Sequence, residues 1–166
     1  MALTTNTTYL SVTETAKLVR NALKAVFPTV KFSVRSSSYS GGASIDVDWT
    51  DGPAAKRVEA ITERFRGASF DGMIDLKSSH NSEWQGQRVH FGADYVFAHR
   101  RHSLALLKLA IAQVAQKWGT PEPRIVAPAD YEPYCDPKDP VTFSQPGNGH
   151  FNVSDLVHQT LATMEG

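Results

Sequence analysis

The 166-residue chain has a single cysteine, Cys135, and no excess of either charge sign, with 17 Lys and Arg against 17 Asp and Glu. One thiol cannot form an intramolecular bridge, so the fold does not rest on disulfides, and a reducing compartment is the natural setting. No structural metal is needed either, because a domain of this length buries about two thirds of the surface its unfolded chain exposes. No apolar run approaches the roughly 20 residues of a membrane span. The opening stretch MALTTNTTYLS has neither a basic start nor an apolar signal core. A soluble cytoplasmic protein without membrane contact is expected. The P-loop, G-x-S-x-G, H-E-x-x-H and C-x-x-C patterns are all missing, so the chain carries none of the common signatures of nucleotide hydrolysis, acyl transfer or zinc chemistry. No cofactor and no metal are expected.

What is present is ordinary globular material, 41% hydrophobic and 10% aromatic, with an uneven distribution of charge. Residues 1–119 hold 15 Lys and Arg against 10 Asp and Glu, whereas residues 120–166 hold 2 against 7. Such asymmetry points either to a charged partner, nucleic acid included, or to an acidic segment lying on a basic core. Six of the nine prolines fall between Pro121 and Pro140, which favours extended, turn-rich backbone there. These shifts divide the chain into an expected core domain over 1–119 and a Pro-rich acidic extension over 120–166.

Ser11-Val-Thr-Glu14 has the S-x-x-E spacing of a capping box and starts a helix. Its apolar positions Val12, Ala16, Val19, Leu23 and Val26 form one stripe before Pro28 stops it. Period-two alternation follows, with Val30, Phe32 and Val34 and then Ile45, Val47 and Trp49 on the dry face of a hairpin. Asp51-Gly52-Pro53 ends that hairpin and opens a second helix with Ala54, Val58, Ile61 and Phe65 inward. Two more strands are expected, one with Phe70, Ile74 and Leu76, the other with Val89, Phe91, Ala93, Tyr95 and Phe97 and an interruption at Gly92. Ser103 caps a third helix ending at Gly119, and Ser154 caps a short final one. The order α-ββ-α-ββ-α predicts an α+β fold, an antiparallel sheet with helices packed on one face.

Alternation places Arg35, Asp46, Asp48, Asp71, Asp75, Arg88, His90 and Asp94 on the wet face of that sheet. Asp46-x-Asp48 could hold a hard cation, with Asp75, in a metal-dependent nuclease. The same residues equally suit cross-strand pairing of Arg35 with a carboxylate. The run Arg35-Ser36-Ser37-Ser38-Tyr39-Ser40-Gly41-Gly42 is rich in hydroxyls and glycines. It reads either as a plain hairpin loop or as an anion-binding concavity. His99-Arg100-Arg101-His102 is the densest basic cluster and faces solvent or a partner. His99 and His102 find no further metal ligands, since Cys135 and His150 match no zinc spacing.

Tyr9-Leu-Ser-Val-Thr-Glu-Thr-Ala16, Phe32-Ser-Val-Arg-Ser36, Ser38-Tyr-Ser-Gly-Gly-Ala-Ser-Ile45, Trp49-Thr-Asp-Gly-Pro53 and Phe70-Asp-Gly-Met-Ile-Asp75 together resemble the large polyvalent protein-associated domain family numbered twenty-nine. That family is carried by phages and conjugative elements. The resemblance is clearest over residues 9–77 and extends toward Gly119. It implies a protein that accompanies mobile DNA into a recipient cell and counters its defences. It brings no catalytic residues with it, so a non-enzymatic inhibitor of the anti-CRISPR kind is expected. The expected partner is a bacterial defence ribonucleoprotein or its protein subunits, and the oligomeric state is open. The expected contact residues are Arg35, Ser36, Tyr39, Ser40, Arg100, Arg101, Asp130, Tyr131, Glu132 and Tyr134. The tail carboxylates would act as phosphate mimics, or the two tail tyrosines as anchors that displace subunits. Nucleic-acid binding through Arg35, Arg100 and Arg101 is the alternative, with salt-dependent affinity.

Overall fold

A computed structural model describes residues 7–71, 73, 76–119, 125–126, 134–135, 142–145 and 149–165. The fold is α+β, and the chain forms two compact units, one of residues 1–49 and 55–99, the other of residues 50–54 and 100–166.

In the first unit, β1 (Thr8–Leu10) leads into α1 (Val12–Val26). The capping box at its start is complete, with the Ser11 hydroxyl accepting from the Glu14 amide and the Glu14 carboxylate accepting from the Ser11 amide at 2.9 Å. The helix ends before Pro28 as expected, but Val26 is exposed and Thr15 takes a buried place on the stripe with Ala16, Val19 and Leu23. Next come β2 (Ser33–Tyr39) and β3 (Gly42–Thr50), an antiparallel hairpin in which Arg35 faces Asp46 and Tyr39 faces Gly42. The connection is only Ser40-Gly41, with Gly41 at φ 92°, where a side chain would be strained. Most of the serine run is therefore strand rather than loop.

After α2 (Ala55–Thr62) and a single 3₁₀ turn (Glu63–Phe65), five strands complete the unit. They are β4 (Ala68–Asp71), β5 (Leu76–Ser79), β6 (Ser82–Trp84), β7 (Gln87–Phe91) and β8 (Tyr95–Arg101), whose last two residues count with the second unit. Two expectations change here. Phe70 and Leu76, expected in one strand, lie on two strands, β4 and β5, that pair antiparallel with each other. The long strand through Gly92 is two strands in different sheets, because β7 pairs with β1 in parallel and with β6 antiparallel, whereas β8 joins the sheet of order β2-β3-β8. A single antiparallel sheet thus resolves into small, mostly antiparallel ones. Gly92 makes the break possible, since a Cβ there would run into the Leu10 carbonyl and the backbone of Ser11 and Val12. The core joins Ala16, Val19 and Leu23 of α1 to Val34, Ile45, Val47 and Trp49 of the hairpin, with Val58, Phe65, Phe91 and Val96.

The second unit is organised by α3 (Leu104–Trp118) and α4 (Val153–Thr163). Ser103 caps α3 through its hydroxyl, which accepts from the Leu106 amide at 3.2 Å, and Gly119 ends it in the left-handed conformation. Leu106, Leu107, Ala110, Ile111 and Val114 pack on Leu156, Val157 and Leu161 of α4. The final helix starts at Val153, so Ser154 lies inside it rather than at its cap. Short strand pairs also occur in this unit, β9 (Ile125–Val126) with β10 (Tyr134–Cys135) and β11 (Thr142–Gln145) with β12 (Gly149–Asn152).

Candidate functional site

Burial along β7 and β8 locates the surface of most interest. Val89, Phe91 and Ala93 are buried, as alternation requires, but the next buried residue is Val96. The irregular stretch Gly92 to Asp94 shifts the phase by one, and a one-residue slip turns every side chain to the other face. Tyr95 and Phe97, expected in the core, consequently stand on the open face of the β2-β3-β8 sheet, Phe97 44% exposed. Their rings are 5.8 Å apart and nearly parallel at 16°, and His99 continues the row 6.2 Å beyond Phe97.

Beside this row the open face carries compensated charge. Arg35 donates from Nη2 to Asp48 Oδ2 at 2.9 Å, and that bond with Asp48 raises the guanidinium pKa further above its ordinary value. His99 Nε2 lies 3.3 Å from Asp46 Oδ1. At the hairpin end, Lys77 Nζ reaches Asp94 Oδ2 at 2.8 Å and the Gly41 carbonyl at 3.0 Å, and the bond to Asp94 raises the Lys77 pKa. Asp94 also accepts from the Ala43 amide at 2.9 Å, while its own amide donates to the Ala43 carbonyl at 2.8 Å. A Cβ on Gly42 would collide with that carboxylate. A cleft of about 460 Å³ opens next to this node, lined among others by Tyr9, Ser38, Lys77 and His90. Tyr9 stacks on His90 at 5.1 Å.

The two carboxylates of Asp46-x-Asp48 are therefore spent on His99 and Arg35. Among the described residues no group of three or more His, Cys, Asp or Glu side chains is placed to hold a metal ion. Asp75, the third carboxylate of the nuclease reading, lies outside the described residues. The wet-face list also divides between sheets, since Arg88 and His90 belong to β7, with Arg88 opposite Glu83.

Of the expected contact residues, Arg35, Ser36 and Tyr39 stand exposed on β2 and Ser40 in its turn. Arg100 is a correction. Its guanidinium donates to four carbonyls of the second unit, those of Asp51 (3.1 Å), Gly52 (3.0 Å), Leu161 (2.8 Å) and Met164 (2.7 Å). It is an internal brace and not part of a free basic patch. The Asp51-Gly52 turn that receives it has both residues at positive φ, and Asp51 Oδ1 accepts from the Ser103 amide at 2.8 Å. Within the distinctive sequence from Trp49 to Pro53, Asp51 and Gly52 thus build a structural node. Arg101 is exposed at the end of β8. Asp130, Tyr131 and Glu132 lie outside the described residues, and Tyr134 is placed only as backbone in β10.

The fold and this surface define a small α+β domain with an open, aromatic-bearing sheet face. The chain belongs to the large polyvalent protein associated domain 29 family, whose model matches residues 10–103. Domains of this family are associated with the polyvalent proteins of phages and mobile elements. No curated protein and no solved structure matches the chain. No helix among the described residues is long and apolar enough to cross a membrane.

Proposed function

We propose that this chain is a counter-defence protein of a mobile genetic element, working in the host cytoplasm by binding a bacterial defence complex of the CRISPR kind rather than by catalysis. Family membership supports the setting. The observation that carries the binding mode is the solvent-facing row Tyr95, Phe97 and His99, beside Arg35 and Lys77 that are each already paired with a carboxylate. Interface centres are rich in aromatic residues and poor in free charge, which is the character of this face. Phosphate binding asks for the reverse, uncompensated cations in a basic surface. Arg35 and Lys77 are each held by a carboxylate and Arg100 by carbonyls, so direct nucleic-acid binding has less support.

The test is capture of the tagged chain from lysates containing CRISPR and restriction systems, with and without nuclease, compared with Phe97→Ala. The proposal expects a defence complex, or a subset of its subunits, that survives nuclease and is lost with Phe97→Ala. A missing subunit in the captured set would mark inhibition by displacement. Recovery of nucleic acid and its attendant proteins only, abolished by nuclease, would overturn the protein-binding reading.

A further inference from the structure

The outer edge of β2 is a second surface, separate from the row Tyr95, Phe97 and His99 although Arg35 borders both. Along an antiparallel strand, residues alternate between those whose N–H and C=O face the neighbouring strand and those whose groups face away. The Val34 carbonyl accepts from Arg20 Nη2 at 2.8 Å, which places it on the side away from β3. Ser36 and Ser38 share its phase and turn their backbone groups the same way, while Tyr39 opposes Gly42 across the turn and belongs to the set facing β3. β2 stands at the end of its sheet, and among the described residues nothing pairs with the outward groups of Ser36 and Ser38. Both serines are exposed. Edges are normally blunted by proline, bulges, several charges or a covering element. Residues 35–39 have a regular register and the single charge of Arg35.

We infer that this edge pairs with the same edge of a second copy of the chain, antiparallel about a two-fold axis at Ser37. In that register Ser36 meets Ser38 of the second copy and Ser38 meets its Ser36, each pair exchanging both of its hydrogen bonds. Arg35, its side chain 70% exposed, comes opposite Tyr39 of the second copy, itself 50% exposed, so a guanidinium faces a ring on each side of the axis. Within residues 35–39 no like charges oppose each other, and Lys77, beside the Tyr39 ring, is already paired with Asp94. Neighbouring registers are poorer. Centring on Ser36 requires the Val34 carbonyl that Arg20 already holds, and centring on Ser38 runs the second copy past the end of β2 at Tyr39 and separates Arg35 from the ring.

Residues opposite each other without mutual hydrogen bonds have Cα atoms about 4.5 Å apart, within disulfide range. Ser37→Cys in a Cys135→Ser background should therefore give a covalent dimer on mild oxidation. Ser33→Cys, on the same face of the same strand, should crosslink at least about tenfold more slowly, being far from the axis. Ser36→Pro removes one outward N–H without touching the bonds to β3. It should shift sedimentation equilibrium toward monomer while the circular dichroism spectrum and Tm stay near those of the parent. A parent chain that sediments as monomer with no Ser37→Cys crosslink overturns the inference, as does equal crosslinking at Ser33→Cys.

Discussion

Arg100 shows how a residue's chemistry depends on what its neighbours leave unsatisfied. In sequence it is one of two adjacent arginines in a basic run. In the fold its guanidinium fork matches a set of carbonyls at the Asp51-Gly52 turn and at the end of α4. Arg100→Ala strands those carbonyls and should destabilise the second unit by about 2 kcal/mol or more in chemical denaturation. Arg100→Lys should recover little, because one ammonium cannot reproduce a planar fork. Two residues on, His102 is half-buried, its Nε2 has no hydrogen-bond partner among the described residues, and burial, assisted by the Arg100 charge, pushes its pKa below the ordinary value. A depressed pKa means that the folded state holds the neutral ring. The associated stability is present above the unfolded value of about 6.5 and is lost as pH falls through the folded pKa. Unfolding midpoints at about pH 7.5 and 5 should diverge more in the parent than in His102→Gln, and equal divergence would contradict the assignment. Neither role was legible in advance, because Arg100 depends on carbonyls 48 to 64 residues away and His102 on a burial that only the fold sets.

Elements whose determinants are local were readable from the sequence. The Ser11–Glu14 box, Pro28, the Ser103 cap and Gly119 fix α1 and α3, and each acts within a turn of the residue that carries it. Strand pairing is non-local, and there the reading slipped. Nothing in Thr8–Leu10 announces a strand lying parallel to β7, and period-two alternation cannot show that its phase shifts between Ala93 and Val96. Gly92 was the available signal: an interruption was legible there, but its effect on the side-chain phase was not. The element-scale consequence is testable. Gly92→Ala drives a methyl into the Leu10 carbonyl and the start of α1, and should cost about 2–3 kcal/mol in denaturant unfolding. Gly86→Ala, with nothing near its would-be Cβ but φ at 74°, should cost less. A smaller loss at Gly92 than at Gly86 would show that β1 and β7 do not approach as described.

For the whole molecule, the family match over residues 10–103 nearly coincides with the first unit, which ends at residue 99. The family resemblance was visible in the sequence because its motifs lie where the backbone is most constrained, at the helix cap, the two-residue hairpin turn and the Asp51-Gly52 turn. The proposed contact face was not visible, since Tyr95 and Phe97 look like core residues until the sheet assigns their face. The acidic, Pro-rich extension carries four of the ten residues that the sequence offered as contacts, so the sheet face and the tail make separable claims. Replacing Asp130, Glu132, Asp136 and Asp139 with their amides should leave capture of the defence complex intact if the sheet face is the contact surface. The most direct measurement is protection of a CRISPR-targeted phage or plasmid in a host expressing the chain, the Phe97→Ala variant, or neither, with folding of the variant checked by its Tm. The account predicts protection by the parent chain and its loss in a folded Phe97→Ala. Protection that survives Phe97→Ala unchanged would contradict it.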